Sequence, residues 1–523
     1  MDNITVIKNF MAENSLEYLL VNSTNEFLVE YNTLEENSRY KLTNFSGSTG
    51  EALITPDTIF LFVDGRYHIQ ADQEVCHEKV TVVKLQTGQK YLDELLKKIP
   101  TNKTLGLFAK KNSQNKIKFL KKNRSIKLLN VDPLDTKINI DISQNIELDK
   151  KYTGLTAEEK IAKIAQNLAD DEALYITDPD EVSYLFNMRN FSRNYSSKIK
   201  AKAIIFKDNS ILFTEDKLGE LEEFLVNINK KVYVDENTIN GFDYNLLGEN
   251  AISIETNPVK TMKSQKNDVE INHLKSAFER TDKAVKAIRE YIYNNENISE
   301  FDIANQLEQE FKKQGSLGLS FKSIVAKDKN SALAHYSKSS KDEIIKDGSL
   351  VLIDCGAYFE GGLATDITRV FVKGTPTELQ KKIYTTVLKA FLLGFNYAKK
   401  HIQRPLIGFE IDKEVHKFFN SQDLDGFVFN HGLGHGIGIN VHEYPPNLST
   451  NEIAKTPILD GMVFSIEPGL YKNGFFGVRL ENSCYFKDND IHSFVNMNYE
   501  RKLINFEMLT DEELEELANF EVI

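Results

Sequence analysis

The chain has 523 residues, a formal net charge of -13 and ordinary apolar (41%) and charged (27%) fractions, enough for about three domains with cores of their own. The acidic balance argues against nucleic acid or an anionic membrane as partner, and no apolar run is long enough to span a bilayer. Cys76, Cys355 and Cys484 match no zinc or disulfide spacing and the N-terminus has no signal-peptide pattern, so the expected location is the reducing cytoplasm.

Residues 1–136 alternate helical and strand patterns. YLLVNS reads as a strand and ALITPDTIFLFVDGRY as a hairpin turning at Pro56-Asp57. FSGSTG between them is a Gly/Ser turn, without the Gly-Lys-Ser/Thr ending of a P-loop. Residues 137–152 read as a linker. Beyond it EALYITD, LFNMRNFSRN and KAKAIIFKDNSILFTED repeat the earlier order of strand, Asn-Phe loop and hairpin. This weak self-similarity predicts two related α/β domains, 1–136 and 137–257, of duplicated origin.

A third unit is expected over 258–523. From Asp268, the residues Ile271, Leu274, Phe278, Val285 and Ile288 share one helical stripe. Ser299-Glu300-Phe301-Asp302 is a capping box opening a second helix, whose face continues through Ile303, Leu307 and Phe311. SFKSIVA, SLVLIDCGAYF and LATDITRVFV read as strands. The order then recurs, with helices at 376–399 and 408–420 and strands at GFVFNHGLG, GMVFSIEPGLY and GVRLENSCYF. The unit is thus an α+β core built of two similar halves. One half carries Asp354 and Asp366 on a hairpin, the other Glu467 and Glu481. LTDEELEELANFEVI reads as a short acidic helix with a solvated face.

Asp354 follows the apolar run LVLI, and Asp366, Glu467 and Glu481 also adjoin apolar strands. Buried carboxylates are costly unless paired or bound to a cation. A Lys or Arg for each accounts for any one of them, but poorly for all four with His435 close by. Two divalent cations resolve the conflict. Oxygen-rich ligands with one imidazole favour Mn²⁺, with Fe or Co as rivals, whereas a structural zinc site would hold more sulfur or imidazole. Gly434 and Gly436 let the backbone approach closely around His435. His431 and His442 lie in the same glycine-rich run. Cys355 reads as packing, since no base is placed to activate it.

With these motifs the third unit resembles the pita-bread metallopeptidases, the fold shared by methionine aminopeptidase, prolidase and aminopeptidase P. FSGSTG, VDGRYHIQA, SYLFNMRN and VKTMKSQKNDVEINHLKSAF extend the likeness along the chain to the three-domain cytosolic Xaa-Pro aminopeptidases. The resemblance implies two creatinase-like N-terminal α/β domains followed by a pita-bread catalytic domain. It implies Asp354 on one metal, His435 and Glu467 on the other, and Asp366 and Glu481 bridging both. His335, in SALAHYS, would steady the reacting carbonyl and relay protons. His431, His442 and Arg479 would line the substrate side, Arg479 also orienting ligands, and Glu467 would double as general base. The implied activity is removal of the N-terminal residue from peptides with proline second, and the implied assembly a homodimer. The rivals are a prolidase restricted to dipeptides and a non-catalytic pita-bread protein that binds peptides; the two N-terminal domains argue against the first and the intact ligand positions against the second.

Three departures from the family stand out. Asp354 and Asp366 are one residue further apart than usual, and the extra residue falls in EGGLA. That turn should absorb it with Gly361 or Gly362 at positive φ, leaving Asp366 in place. Asp328-Lys329-Asn330 stands where the family often has Gly-Pro-Asn, and many three-domain relatives continue beyond the equivalent of LANFEVI.

Overall fold

Apolar runs rich in β-branched and aromatic residues build two N-terminal sheets of the same design. In the first, the order is Val80–Lys84, Ile59–Val63, Glu51–Ile54, Tyr18–Val21, Thr104–Phe108, Ser125–Leu129. The middle hairpin is antiparallel with Ile54 opposite Ile59, and the strands after Tyr18–Val21 run parallel to it. All four residues of Tyr18–Val21 are buried, as a strand covered on both faces requires. The second sheet runs Ser210–Thr214, Ala201–Ile205, Glu172–Ile176, Lys231–Val234, Ala251–Ser253, with matching strand directions. It repeats the first without the outer parallel strand, so the echo in the sequence is a repeat of topology. The computed structural model describes residues 2–30, 32–86, 88–136, 141–400 and 405–520; residues 137–140 of the expected linker and the last three of the acidic tail lie outside them.

The described chain divides into two compact units, 1–147 with 155–188 and 199–259, and 148–154 with 189–198 and 260–523. Residues 148–154 and 189–198, which the sequence reading assigned to the linker and the second domain, thus belong to the second unit. There the helix Asp268–Asn294 starts at an Asn267/Glu270 capping box and buries the expected stripe. The helix Glu300–Lys313 uses the Ser299/Asp302 box. The strands Ile324–Lys327, Leu350–Cys355 and Ile367–Val372 form an antiparallel sheet. A second sheet runs Glu443–Leu448, Gly434–Gly436, Val463–Ile466, Asn482–Lys487, Asp490–Ser493, and Gly469–Lys472 pairs with Phe476–Arg479 as a hairpin. The helix Glu378–Lys399 buries Val387 and Phe391 in one core with Leu352 and Val370 from the first half and Phe464 and Ile466 from the second.

Two expectations change, and one strand appears that was not expected. GFVFNHGLG does not form a strand over its length: Val428 makes an isolated bridge to Tyr471, and the paired segment is Gly434–Gly436. Gly434 is needed there, because a Cβ would lie 2.0 Å from the carbonyl oxygen of Ser465. EYPPNL, unmarked by propensity, is a strand, and it occupies a sheet edge where proline's missing N–H is tolerated. The acidic helix Asp511–Ala518 is not simply solvated: its Leu517 is buried, and just past the helix Phe520 is buried and meets Phe391 and Phe395 edge-on. Among the described residues no helix is long and apolar enough to cross a membrane.

Candidate metal centre

Register brings the carboxylates together. In the first half Asp354 sits opposite Thr368, and Asp366 immediately precedes the partner strand. In the second half Ile466 sits opposite Asn482, so Glu467 and Glu481 flank the end of that ladder. The Glu481 N–H donates to the Thr368 carbonyl at 3.2 Å and the Ser483 hydroxyl to the Asp366 carbonyl at 2.7 Å, joining the halves. The EGGLA turn takes its extra residue with Gly362 at φ 66°. Across the base of the turn the Ala357 N–H donates to Thr365 Oγ1 at 3.0 Å and the Thr365 N–H to the Ala357 carbonyl at 3.0 Å.

His435 lies on the Gly434–Gly436 strand. Its Nδ1 is 3.0 Å from the Gly436 carbonyl, so Nδ1 carries the proton and Nε2 keeps its lone pair. Nε2 is 3.3 Å from Glu467 Oε1 and 3.7 Å from Asp366 Oδ2. One ligand atom each from Asp366, His435 and Glu481 lies within 4.8 Å of the others. Ser465 accepts from the His435 N–H at 3.1 Å and donates to Glu467 Oε1 at 3.3 Å.

Arg479 is 2% exposed. Its Nη2 donates to Asp354 Oδ2 at 2.6 Å, Nη1 to the Tyr471 hydroxyl at 2.7 Å and Nε to Thr368 Oγ1 at 3.2 Å. Thr368 in turn donates to Glu481 Oε2 at 2.7 Å. The Tyr471 hydroxyl lies 2.8 Å from His431 Nε2, while His431 Nδ1 faces the Gly432 carbonyl at 2.8 Å. A chain of hydrogen bonds therefore runs from His431 through Tyr471 and Arg479 to Asp354. The sequence reading did not single out Thr368, Tyr471 or Ser465. Thr368 could have been found from the register opposite Asp354; nothing local marks the other two.

The half-buried His442 packs edge-on to His435, ring centroids 4.4 Å apart. His335 is half-buried and follows the short helical turn Asp328–Ala332, which the Gly477 N–H anchors through Ser331 Oγ at 2.8 Å. Asp328 adopts φ 42°, the conformation a glycine would take most easily. Its carboxylate compensates by accepting from the Leu350 N–H at 2.9 Å and the Ser349 hydroxyl at 3.2 Å, which accounts for Asp in place of the family's Gly. Cys355 is buried and burial pushes its thiol well up, consistent with packing.

The protein alone does not satisfy this cluster. Asp354 Oδ1, Asp366 Oδ1 and Glu481 Oε1 are buried with no hydrogen-bond partner, a situation native interiors avoid. Burial, then the neighbouring carboxylates, pushes Asp366 and Glu481 well above the usual carboxylate range. Burial pushes Glu467 up to about 7 against the pull of Arg479. Oxygen atoms without donors, crowded beside an imidazole lone pair, are the donor set that hard divalent cations require. The residues fit such ions.

Residues 272–488 match the model of the Metallopeptidase family M24, and 4–136 and 139–270 each match a Creatinase/Prolidase N-terminal domain. The chain is 28% identical to Xaa-Pro aminopeptidase 1 of Dictyostelium discoideum over 97% of its length and 90% of the relative's. It is 27% identical to an uncharacterized peptidase of Schizosaccharomyces pombe over 99% and 94%. Its fold matches the X-prolyl aminopeptidase of Caenorhabditis elegans, described as a cytosolic enzyme with a di-nuclear active site, with a TM-score of 0.86 at 22% identity, covering 96% of this chain and 92% of that one. Residues 272–488 of the chain are thus a hydrolase domain of the Metallopeptidase family M24 type, preceded by two creatinase/prolidase-type N-terminal domains.

Proposed function

We propose that the chain is an Xaa-Pro aminopeptidase, removing the N-terminal residue from peptides whose second residue is proline. The observation that carries the metal-dependent reading is the close grouping of Asp366, His435 and Glu481, with buried oxygens of Asp354, Asp366 and Glu481 left without hydrogen-bond partners. Xaa-Pro specificity is drawn from relatives that align along nearly the whole chain. Asp354 would hold one divalent ion, His435 and Glu467 the other, with Asp366 and Glu481 shared. We propose Mn²⁺ as the working metal, the cytoplasm as the location, a homodimer as the assembly, and boundaries at 136/137 and 257/258, with residues 189–198 serving the catalytic unit.

When bound, the two ions supply an activated water and polarise the scissile carbonyl. Glu467 would accept the proton of the attacking water. Proline's nitrogen is a poor leaving group until protonated, so Glu467 or His335 would return a proton to it. His335 would steady the scissile carbonyl. His442 would donate a hydrogen bond to the carbonyl after proline, which a tertiary amide with no N–H leaves as the nearest backbone handle. Arg479 is kept as an orienting residue and not as a substrate contact, because its guanidinium is buried against Asp354, Thr368 and Tyr471. His431 is kept on the substrate side, oriented by Tyr471.

The test compares Arg-Pro-Pro and longer Xaa-Pro peptides with the same peptides carrying Ala in place of the first Pro, using Mn²⁺-loaded protein. Xaa-Pro peptides are expected to be cut and Xaa-Ala peptides far more slowly. Equal turnover would refute proline specificity, and cleavage confined to dipeptides would make the protein a prolidase.

A further inference from the structure

The loop from Gly436 to His442 is rich in glycine, which gives its backbone wide freedom unless something holds it. Its glycines are required by close approach: a Cβ on Gly438 would lie 2.1 Å from Glu443 Oε2. Glu443, next to His442, is 4% exposed and held by Lys266 at 2.6 Å and Lys263 at 2.9 Å. Its Oε2 also accepts from the Ile439 N–H at 3.1 Å. On the other side of His442, the Asn440 side chain accepts from Lys198 Nζ at 2.8 Å, and Lys198 is 5% exposed. His442 is thus suspended between two anchors that end in buried lysines.

Lys198 ends the short segment 189–198, which folds with the catalytic unit although its neighbours in sequence, up to 188 and from 199, do not. The same segment grips the EGGLA turn. Ser197 Oγ donates to the Gly362 carbonyl at 2.7 Å, and a Cβ on Gly362 would meet Arg189 Nε at 2.4 Å. The turn in its own right touches the loop, the Ala364 N–H donating to the Gly438 carbonyl at 2.7 Å. One strap therefore holds both glycine-rich connections, the one that leads into Asp366 and the one that leads from His435 to His442.

We infer that Lys198 and Ser197 are positioning residues, which fix His442 through Asn440 and the EGGLA turn through Gly362. The inference rests on the reading of His442 as a substrate contact. The strap touches neither the carboxylates nor His435 through these bonds, so metal retention should not depend on it.

The test uses the full-length, Mn²⁺-loaded chain carrying Lys198→Met, Lys198→Arg or Ser197→Ala. In Lys198→Met, loss of the charge-assisted bond to Asn440 should raise amide exchange across residues 437–441 by about tenfold and lower kcat/KM for an Xaa-Pro tripeptide by about tenfold, and in Ser197→Ala loss of the bond to Gly362 should raise exchange in the EGGLA turn. Metal content and exchange in Leu350–Cys355 and Ile367–Val372 should not change, and Lys198→Arg should recover most of the loss. Unchanged exchange and kinetics in Lys198→Met would overturn the inference. So would exchange that rises evenly over the catalytic unit, which is the mark of a purely structural role. Should Lys198→Met fail to fold, Asn440→Ala removes the same bond from the loop side and is read by the same criteria. If the wild-type chain does not cut Xaa-Pro peptides, the proposed activity fails by itself, and the exchange at 437–441 still decides whether the strap holds the loop.

Discussion

His442 and Asp412 carry separate predictions at the scale of single residues. His442→Ala should lower kcat/KM for Xaa-Pro tripeptides by roughly 10²-fold, the scale of one positioned hydrogen-bonding or acid–base group, with metal content unchanged by elemental analysis. Asp412, on the helix Gly408–Asn420, is fully buried and accepts the Leu433 N–H at 3.0 Å, inside the HGLGH run. Its other oxygen lies 3.6 Å from His416 Nε2, and burial holds His416 below its ordinary value. Burial pushes Asp412 up to about 7. A carboxyl raised in the folded state favours folding fully below its unfolded value near 4, and that contribution is lost as pH climbs through about 7. Asp412→Asn keeps the acceptor and removes the charge. Its Tm should exceed the wild type's above pH 7 and converge with it below pH 4, and parallel profiles would show that Asp412 does not titrate in this range. The sequence displayed the charged residues of the centre because carboxylates after apolar runs are conspicuous. It did not display Tyr471, whose importance comes from the bonds of Arg479, or Asp412, whose partner is a backbone N–H on a distant loop.

Among elements, the EGGLA turn is the one where sequence and structure can be compared most closely. A single extra residue between two strands of fixed register must be taken up by the turn, and glycine is the residue that can do so. Gly362→Ala should destabilise the protein by about 1–3 kcal/mol from the left-handed backbone alone, and by more because the new methyl meets Arg189 Nε at 2.4 Å. Chemical denaturation measures this, and a loss below the noise would mean that the turn relaxes freely. Helices and hairpins with clean periodicity were readable: the capping box at Ser299 and the stripe on Asp268–Asn294 are where the pattern put them. Gly434–Gly436 and Glu443–Leu448 were not readable. Glycine and proline have poor strand propensity, so the pairing of Gly434–Gly436 with Glu443–Leu448 and Val463–Ile466 has no local signature.

For the whole molecule, the question is how far the fold depends on its ions. The catalytic unit buries carboxylate oxygens that the chain itself leaves without donors, so a ligand that binds only the folded state should stabilise it by mass action, by about 4 kcal/mol at a thousandfold excess over Kd. Chelation is expected to lower Tm and added Mn²⁺ to restore it, as calorimetry would register; a Tm indifferent to chelator would contradict the metal reading. The broad architecture was readable because duplication leaves a trace in both halves of the N-terminal region. The exchange of short segments between units was not, since nothing in the composition of residues 148–154 or 189–198 distinguishes them from their neighbours.

That interleaving has a consequence for synthesis. Translation delivers residues 189–198 well before residues 260–523, with which they pack. On the ribosome the strap must therefore wait, with Arg189 and Ser197 lacking the Gly362 carbonyl they will later contact. The first unit has all its residues by 259, whereas the second needs the late-arriving helix Asp511–Ala518 as well as the early strap. A ribosome halted between these points carries one completed body and one set of stranded contacts, the kind of exposed intermediate that nascent-chain chaperones attend.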